Sequence, residues 1–130
     1  MKIYGIGTDI VNMKRIEKYI KKNETLFTKR IFSNEEINLS KKNINKIAFF
    51  SKRFAAKEAF SKAFGLGISK GVFFKDIEIL NNSFGKPYIN LKGSTLKTIQ
   101  KKFKNKKYNI YLSISDDKPW AQSTVIITNN

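Results

Sequence analysis

The chain has 130 residues, 41% of them apolar and 11 of them phenylalanine, with a formal charge of +16 at neutral pH. That length suits one compact domain spanning residues 1–130, large enough to bury roughly two-thirds of its unfolded surface. With neither cysteine nor histidine, disulfides, thiolate nucleophiles, imidazole bases and the usual zinc ligand sets are excluded. Chemistry here must run on carboxylates, amines, hydroxyls and a hard metal.

The positive charge points to anionic partners: nucleic acid, an acidic protein or a phosphate-rich small molecule. The lysines come with many asparagines and isoleucines, a bias an AT-rich genome also produces, so charge alone does not choose among them. The N-terminal segment is apolar but interrupted by Asp9, a poor signal-peptide core, and no later apolar run approaches membrane-spanning length. A soluble, cytoplasmic protein with no membrane partner is expected.

Residues 2–11 read as a strand, with Ile3, Gly5, Gly7, Asp9 and Val11 sharing one face at period two. The glycines leave space beside the Asp9 carboxylate. A helix follows from about Asn12, its N-cap, with Ile16, Tyr19 and Ile20 at helical spacing and Arg15, Lys18, Lys21 and Lys22 on its other sides. Ser33 followed by Glu36 is a capping-box pattern that opens a short polar helix. After a linker from Lys41 to Asn45, a long helix runs from about Lys46 to Phe64 and stops at Gly65, with Gly67 available for a second positive-φ turn. Apolar residues occupy most of its circumference, so it is covered on most sides. Ser51, Glu58 and Lys62 form a narrow polar seam, and Arg53 and Lys57 point roughly opposite. Asp76–Leu80 and Pro87–Leu91 read as a hairpin, Ser94–Lys104 as a basic helix, and Tyr108–Ser115 with Ala121–Thr128 as a second hairpin joined through Asp116-Asp117-Lys118-Pro119. The predicted class is α+β, an antiparallel sheet packed around a long central helix.

Glu58 sits next to Lys57 in the run Phe54-Ala55-Ala56-Lys57-Glu58-Ala59, on a helix otherwise too apolar to be solvated, and needs a partner. It and Lys62 are spaced as a helix-surface ion pair; alternatively, Lys62 meets a phosphate. Asp9 either caps the next helix or joins Glu58 around a cation, since Mg²⁺ takes one or two protein carboxylates, waters and substrate phosphate oxygens. Lys86, in Gly85-Lys86-Pro87, is a turn residue or an anion contact. Ser113 and Ser115 alternate along a strand, with no histidine to activate either as a nucleophile.

Three segments together, Gly5-Ile6-Gly7-Thr8-Asp9-Ile10-Val11, Phe54-Ala55-Ala56-Lys57-Glu58-Ala59 through Lys62-Ala63 with Gly65 and Gly67, and Ser113-Ile114-Ser115, resemble the holo-[acyl-carrier-protein] synthase family of 4'-phosphopantetheinyl transferases over nearly the whole chain. The resemblance implies transfer of 4'-phosphopantetheine from coenzyme A to a serine of an acidic apo acyl carrier protein, with release of adenosine 3',5'-bisphosphate. It implies Asp9 and Glu58 as Mg²⁺ ligands and Lys62 as a catalytic cation on the pyrophosphate, while a water held by the metal or a carboxylate helps remove the serine proton. Arg15, Lys18 and Lys22 become candidates for the carrier contact, and Arg53, Lys86, Ser113, Ser115 and Lys118 for coenzyme A phosphates. The resemblance also implies a homotrimer with coenzyme sites at subunit boundaries.

One departure stands out. The family has histidine directly after its Ser-x-Ser pair, and this chain has Asp116. A carboxylate there repels phosphate, and Lys118 is the candidate to supply the missing positive charge. The rival reading is a small basic RNA- or ribosome-binding protein using the Lys97–Lys107 region, but no nucleic-acid motif accompanies those lysines.

Overall fold

The computed structural model describes residues 1–65 and 70–130. Gly67, read as a possible turn, lies outside the described residues. Among the described residues nine elements follow one another: β1 (Lys2–Asn12), α1 (Met13–Ile31), α2 (Asn34–Ser40), α3 (Lys46–Phe64), β2 (Ile77–Asn81), β3 (Pro87–Leu91), α4 (Gly93–Lys102), β4 (Tyr108–Asp117) and β5 (Trp120–Asn129). A short 3₁₀ turn, Phe74–Asp76, precedes β2.

All strand pairs are antiparallel, in a three-stranded sheet ordered β1-β5-β4 and a separate β2-β3 hairpin. Helix α3 lies across the inner face of the larger sheet. It comes so near β1 that a Cβ on Gly5 would run into the carbonyl oxygen of Ala63, and one on Gly7 into that of Ala59. This close approach explains the two glycines and the run of alanines facing them. Core side chains flank α3 on both sides. Phe60, Phe64, Ile77, Ile79, Ile99 and Ile127 form one cluster; Val11, Ile16, Phe32, Phe50 and Phe54 belong to the other.

Several local signals act as the sequence predicts. Asn12 Oδ1 accepts from the Lys14 amide at 3.0 Å, the Ser33–Glu36 capping box is formed in both directions, and Gly65 ends α3 with φ of 86°.

Other features differ. A register shift between Ile3 and Gly5 turns Ile3 out to solvent, so the inward face of β1 begins at Tyr4 and Gly5, and the Tyr4 hydroxyl donates to the Phe64 carbonyl at 3.2 Å. Helix α1 breaks at Asn23, where φ and ψ are −167° and 92°; its Oδ1 accepts from the Leu26 amide at 3.1 Å and starts a new helical segment. Asp76 belongs to the 3₁₀ turn rather than to β2, because its carboxylate accepts from the Thr95 amide and hydroxyl at 3.3 and 3.2 Å and so caps α4. Helix α4 ends at Lys102, earlier than predicted, before Lys104 and Asn105 adopt φ of 53° and 60°. The β4-β5 pairing extends to Asp117↔Trp120, leaving only Lys118 and Pro119 as the loop.

Candidate active site

Packing of α3 on β1 brings together the two acids singled out in the sequence. Asp9 lies on the inward side of β1, opposite the fully buried Ser123 of β5. Glu58 projects from α3 and is half-buried. Its pKa is raised above the ordinary carboxylate range, chiefly because burial disfavours the charged form and next because Asp9 repels it; Lys62 and Arg15 oppose the rise. The two carboxylates are therefore close enough to feel one another's charge.

Lys62 completes this cluster by a route that helix spacing does not predict. Its Nζ donates to Asp9 Oδ1 at 3.2 Å and to the Thr8 carbonyl at 3.0 Å. Lys62 thus pairs across to β1 and not with Glu58 one turn earlier on its own helix.

Glu58 also borders a groove of about 580 Å³ between α1 and α3. Arg15, Lys22 and Arg30 give this groove positive charge, while Leu26, Phe54 and Phe74 supply apolar walls. Arg15 is held in place by Tyr19, whose hydroxyl accepts from Nε at 3.1 Å, and its guanidinium lies 5.4 Å from the Phe54 ring centroid. Lys18 is exposed on α1 and does not line the groove. Leu26, Arg30 and Phe74 were not singled out in the sequence, and Tyr19 was read only as a position at helical spacing with Ile16 and Ile20. The pattern of α1 could have flagged Leu26 and Arg30 only if its break at Asn23 were known.

The remaining candidates do not converge on Asp9 and Glu58 within one chain. Arg53 is buried: its Nε donates to the Ile79 carbonyl at 3.1 Å, an Nη to Asn81 Oδ1 at 2.9 Å, and the guanidinium stacks 3.7 Å from the Phe49 ring centroid. It borders a hollow of about 450 Å³ with Glu35, Lys42 and Tyr88. Lys86 lines another of about 330 Å³ with Tyr88 and Tyr111, and Lys118 a third of about 270 Å³ with Lys14 and Asn45. Ser113 and Ser115 are exposed on the face of β4 turned away from α3.

A second charge cluster was missed. Lys57, adjacent to Glu58, is 0% exposed and pairs at 2.7 Å with Glu36, also 0% exposed. Helix α2 is therefore not simply polar; its Glu36 is a core residue that ties α2 to α3 and to β2.

As a metal site, Asp9 and Glu58 supply hard carboxylate oxygens but only two side chains. Among the described residues no group of three or more His, Cys, Asp or Glu could hold an ion. That donor set suits a cation that retains waters and takes further oxygens from a phosphate substrate, as Mg²⁺ does, and does not make an all-protein cage.

Residues 5–121 match the family model described as the 4'-phosphopantetheinyl transferase superfamily. The chain is 49% identical over 127 residues to the holo-[acyl-carrier-protein] synthase of Pelagibacter ubique, covering 98% of each. Among solved structures, that of the holo-[acyl-carrier-protein] synthase from Neisseria meningitidis is similar with a TM-score of 0.87 and 36% identity, over 97% of this chain and 98% of that one. The Bacillus anthracis synthase in complex with CoA (3',5'-ADP) is similar with a TM-score of 0.79 and 37% identity, over 98% of this chain and 97% of that one.

Proposed function

This chain belongs to the 4'-phosphopantetheinyl transferase superfamily, and we propose that it transfers 4'-phosphopantetheine from coenzyme A to a serine of apo acyl carrier protein, releasing adenosine 3',5'-bisphosphate. The reading is supported by holo-[acyl-carrier-protein] synthase relatives along the full chain. The observation that carries it is the cluster of Asp9, Glu58 and Lys62 beside a basic and apolar groove.

The carrier hydroxyl attacks the phosphorus that bears pantetheine, and the bond from that phosphorus to the bridging oxygen breaks. Such a phosphoryl transfer asks the protein mainly for positioning and charge neutralisation, which needs neither His nor Cys. Asp9 and Glu58 would hold Mg²⁺, which when bound offsets charge on the diphosphate. Glu58 borders the groove at which the carrier serine would arrive, and a water held there by the carboxylate or the metal would take the proton from that hydroxyl. Lys62 offsets negative charge on the leaving bisphosphate.

Arg15 and Lys22 face an acidic carrier across the groove, with Lys18 at its edge adding to long-range steering. Arg53, Lys86, Ser113, Ser115 and Lys118 are assigned to coenzyme phosphates. Because they line other faces of the subunit, a homotrimer with sites at its boundaries is the arrangement that would bring a neighbour's residues to Asp9 and Glu58. An exposed sheet face carrying Ile6, Ile10 and Tyr111, at 59%, 61% and 51% exposure, supports such assembly. The protein is read as a cytoplasmic enzyme of one domain, 1–130; among the described residues no helix is long and apolar enough to cross a membrane.

The test is intact-mass measurement of an apo carrier protein incubated with coenzyme A and Mg²⁺. Wild type should add one phosphopantetheine, and Asp9→Asn, Glu58→Gln or chelation of the metal should abolish the addition. A folded wild type that leaves the carrier unmodified contradicts the proposal, as does tight RNA binding indifferent to both substitutions.

A further inference from the structure

The placement of Lys62 bears on how the site is loaded. Its ammonium is anchored at two oxygens of β1, Asp9 Oδ1 at 3.2 Å and the Thr8 carbonyl at 3.0 Å. The lysine side chain is 56% exposed and the aspartate 17%, so the cation is the partner with freedom to move. Glu58 accepts no ion pair within 4.0 Å among the described residues, although Lys62 stands one helical turn beyond it. One side of the acidic pair is thus neutralised and the other is not.

Lys62 occupies Oδ1 only, but an ammonium and a divalent cation on the two oxygens of one carboxylate lie close enough to repel one another. An ammonium on a four-carbon stem exchanges partners readily, and a half-exposed ion pair contributes little stability that must be given up. From this geometry we infer that Lys62 is the resident counter-ion of Asp9, that it vacates the carboxylate when a divalent cation loads, and that only then is it free to meet the coenzyme diphosphate. The inference rests on the metal reading of Asp9 and Glu58 above. It makes Lys62 serve both states of the site, first holding the acidic strand neutral and then neutralising substrate. It also sets an order, in which cation binding precedes productive capture of the diphosphate by Lys62.

The consequence runs against the usual expectation for a catalytic lysine: removing it should improve metal binding. Calorimetric titration with Mn²⁺ in the absence of coenzyme A should show Lys62→Met binding about two- to fivefold tighter than wild type, the range a competing exposed ion pair implies. With Mg²⁺ present, the same variant should bind coenzyme A more weakly. Arg15→Met controls for simple loss of positive charge, since Arg15 also feels both Asp9 and Glu58 but makes no ion pair to Asp9; it should leave Mn²⁺ affinity near the wild-type value. In wild type, the Lys62 Cε resonance should move in step with Mg²⁺ occupancy. The inference is overturned if Lys62→Met binds Mn²⁺ no tighter than wild type, if Arg15→Met tightens binding equally, or if the Lys62 signal stays fixed at saturating Mg²⁺. If Asp9→Asn leaves Mn²⁺ affinity unchanged, the metal reading itself fails, and this inference falls with it.

Discussion

The buried Glu36–Lys57 pair should dominate the stability of the scaffold beneath the site. Lys57 Nζ donates to Glu36 Oε1 at 2.7 Å and to the carbonyls of Phe74 and Ile77 at 2.8 and 2.6 Å. Glu36 in turn accepts from the Ser33 and Ile79 amides at 3.1 and 3.2 Å. Lys57→Met removes three hydrogen bonds at once: it leaves a buried carboxylate without its counter-charge and takes the ammonium away from the Ile77 carbonyl, while the Phe74 carbonyl keeps only the Ile77 amide. Breaking one side of such a pair costs about 3–5 kcal/mol, against a total of about 5–15 kcal/mol for a domain. Equilibrium urea unfolding, followed by circular dichroism and the fluorescence of the single Trp120, should show a loss of that size. The double variant Glu36→Gln/Lys57→Met should be more stable than Lys57→Met alone, because no uncompensated charge remains. The pH dependence carries a further sign. Burial holds the Lys57 pKa below the usual lysine range and Glu36 opposes that shift, so the unfolded chain binds more protons there and this contribution rises with pH. Glu36→Gln removes the opposition, so its stability should climb between pH 7 and 10 more steeply than that of wild type. A cost below about 1 kcal/mol for Lys57→Met, or strictly additive single variants, would refute the assignment of a mutually dependent buried pair.

Glu58→Gln should abolish carrier labelling yet raise the melting temperature at neutral pH. The folded-state pKa of Glu58 is raised, so its stabilising contribution is full below the ordinary carboxylate range and lost as pH rises through the shifted value; a neutral isostere avoids that loss, and a lowered melting temperature contradicts it. Lys118→Ala should raise KM for coenzyme A several-fold if Lys118 offsets Asp116 at the loop, and an unchanged KM disposes of that role. Ile6→Lys, on the exposed sheet face, should convert a trimer to monomers in sedimentation velocity; a species of unchanged mass removes this face from the assembly.

What could be read in the sequence was local. Gly65 stops α3 with a signal adjacent to its end, and Gly5 and Gly7 marked space beside Asp9, although only the packed structure shows α3 filling it; the Asn45 cap of α3 lay unread in what looked like a linker. Asp9 and Glu58 stood out because an acid in an apolar segment needs a partner. The missed features depend on contacts between distant residues. Glu36 showed its capping role three residues away, but its core role depends on Lys57 and Ile79 in other elements. Asp76 alternates with its neighbours like a strand residue, and only the placement of α4 makes it a cap. Lys62 read as either a helix-surface partner of Glu58 or a phosphate contact, and its pairing with Asp9 was not legible, because helix spacing carries no information about a strand packed across it. The dispersal of Arg53, Lys86 and Lys118 into separate hollows follows from tertiary placement, which no motif encodes.

The most direct test of a shared ion is a crystal grown with Mn²⁺ and coenzyme A and measured at the manganese absorption edge. An anomalous peak in contact with the carboxylates of both Asp9 and Glu58 and with diphosphate oxygens is the expected result. Coenzyme A bound with manganese elsewhere, or with a peak touching neither carboxylate, would contradict it.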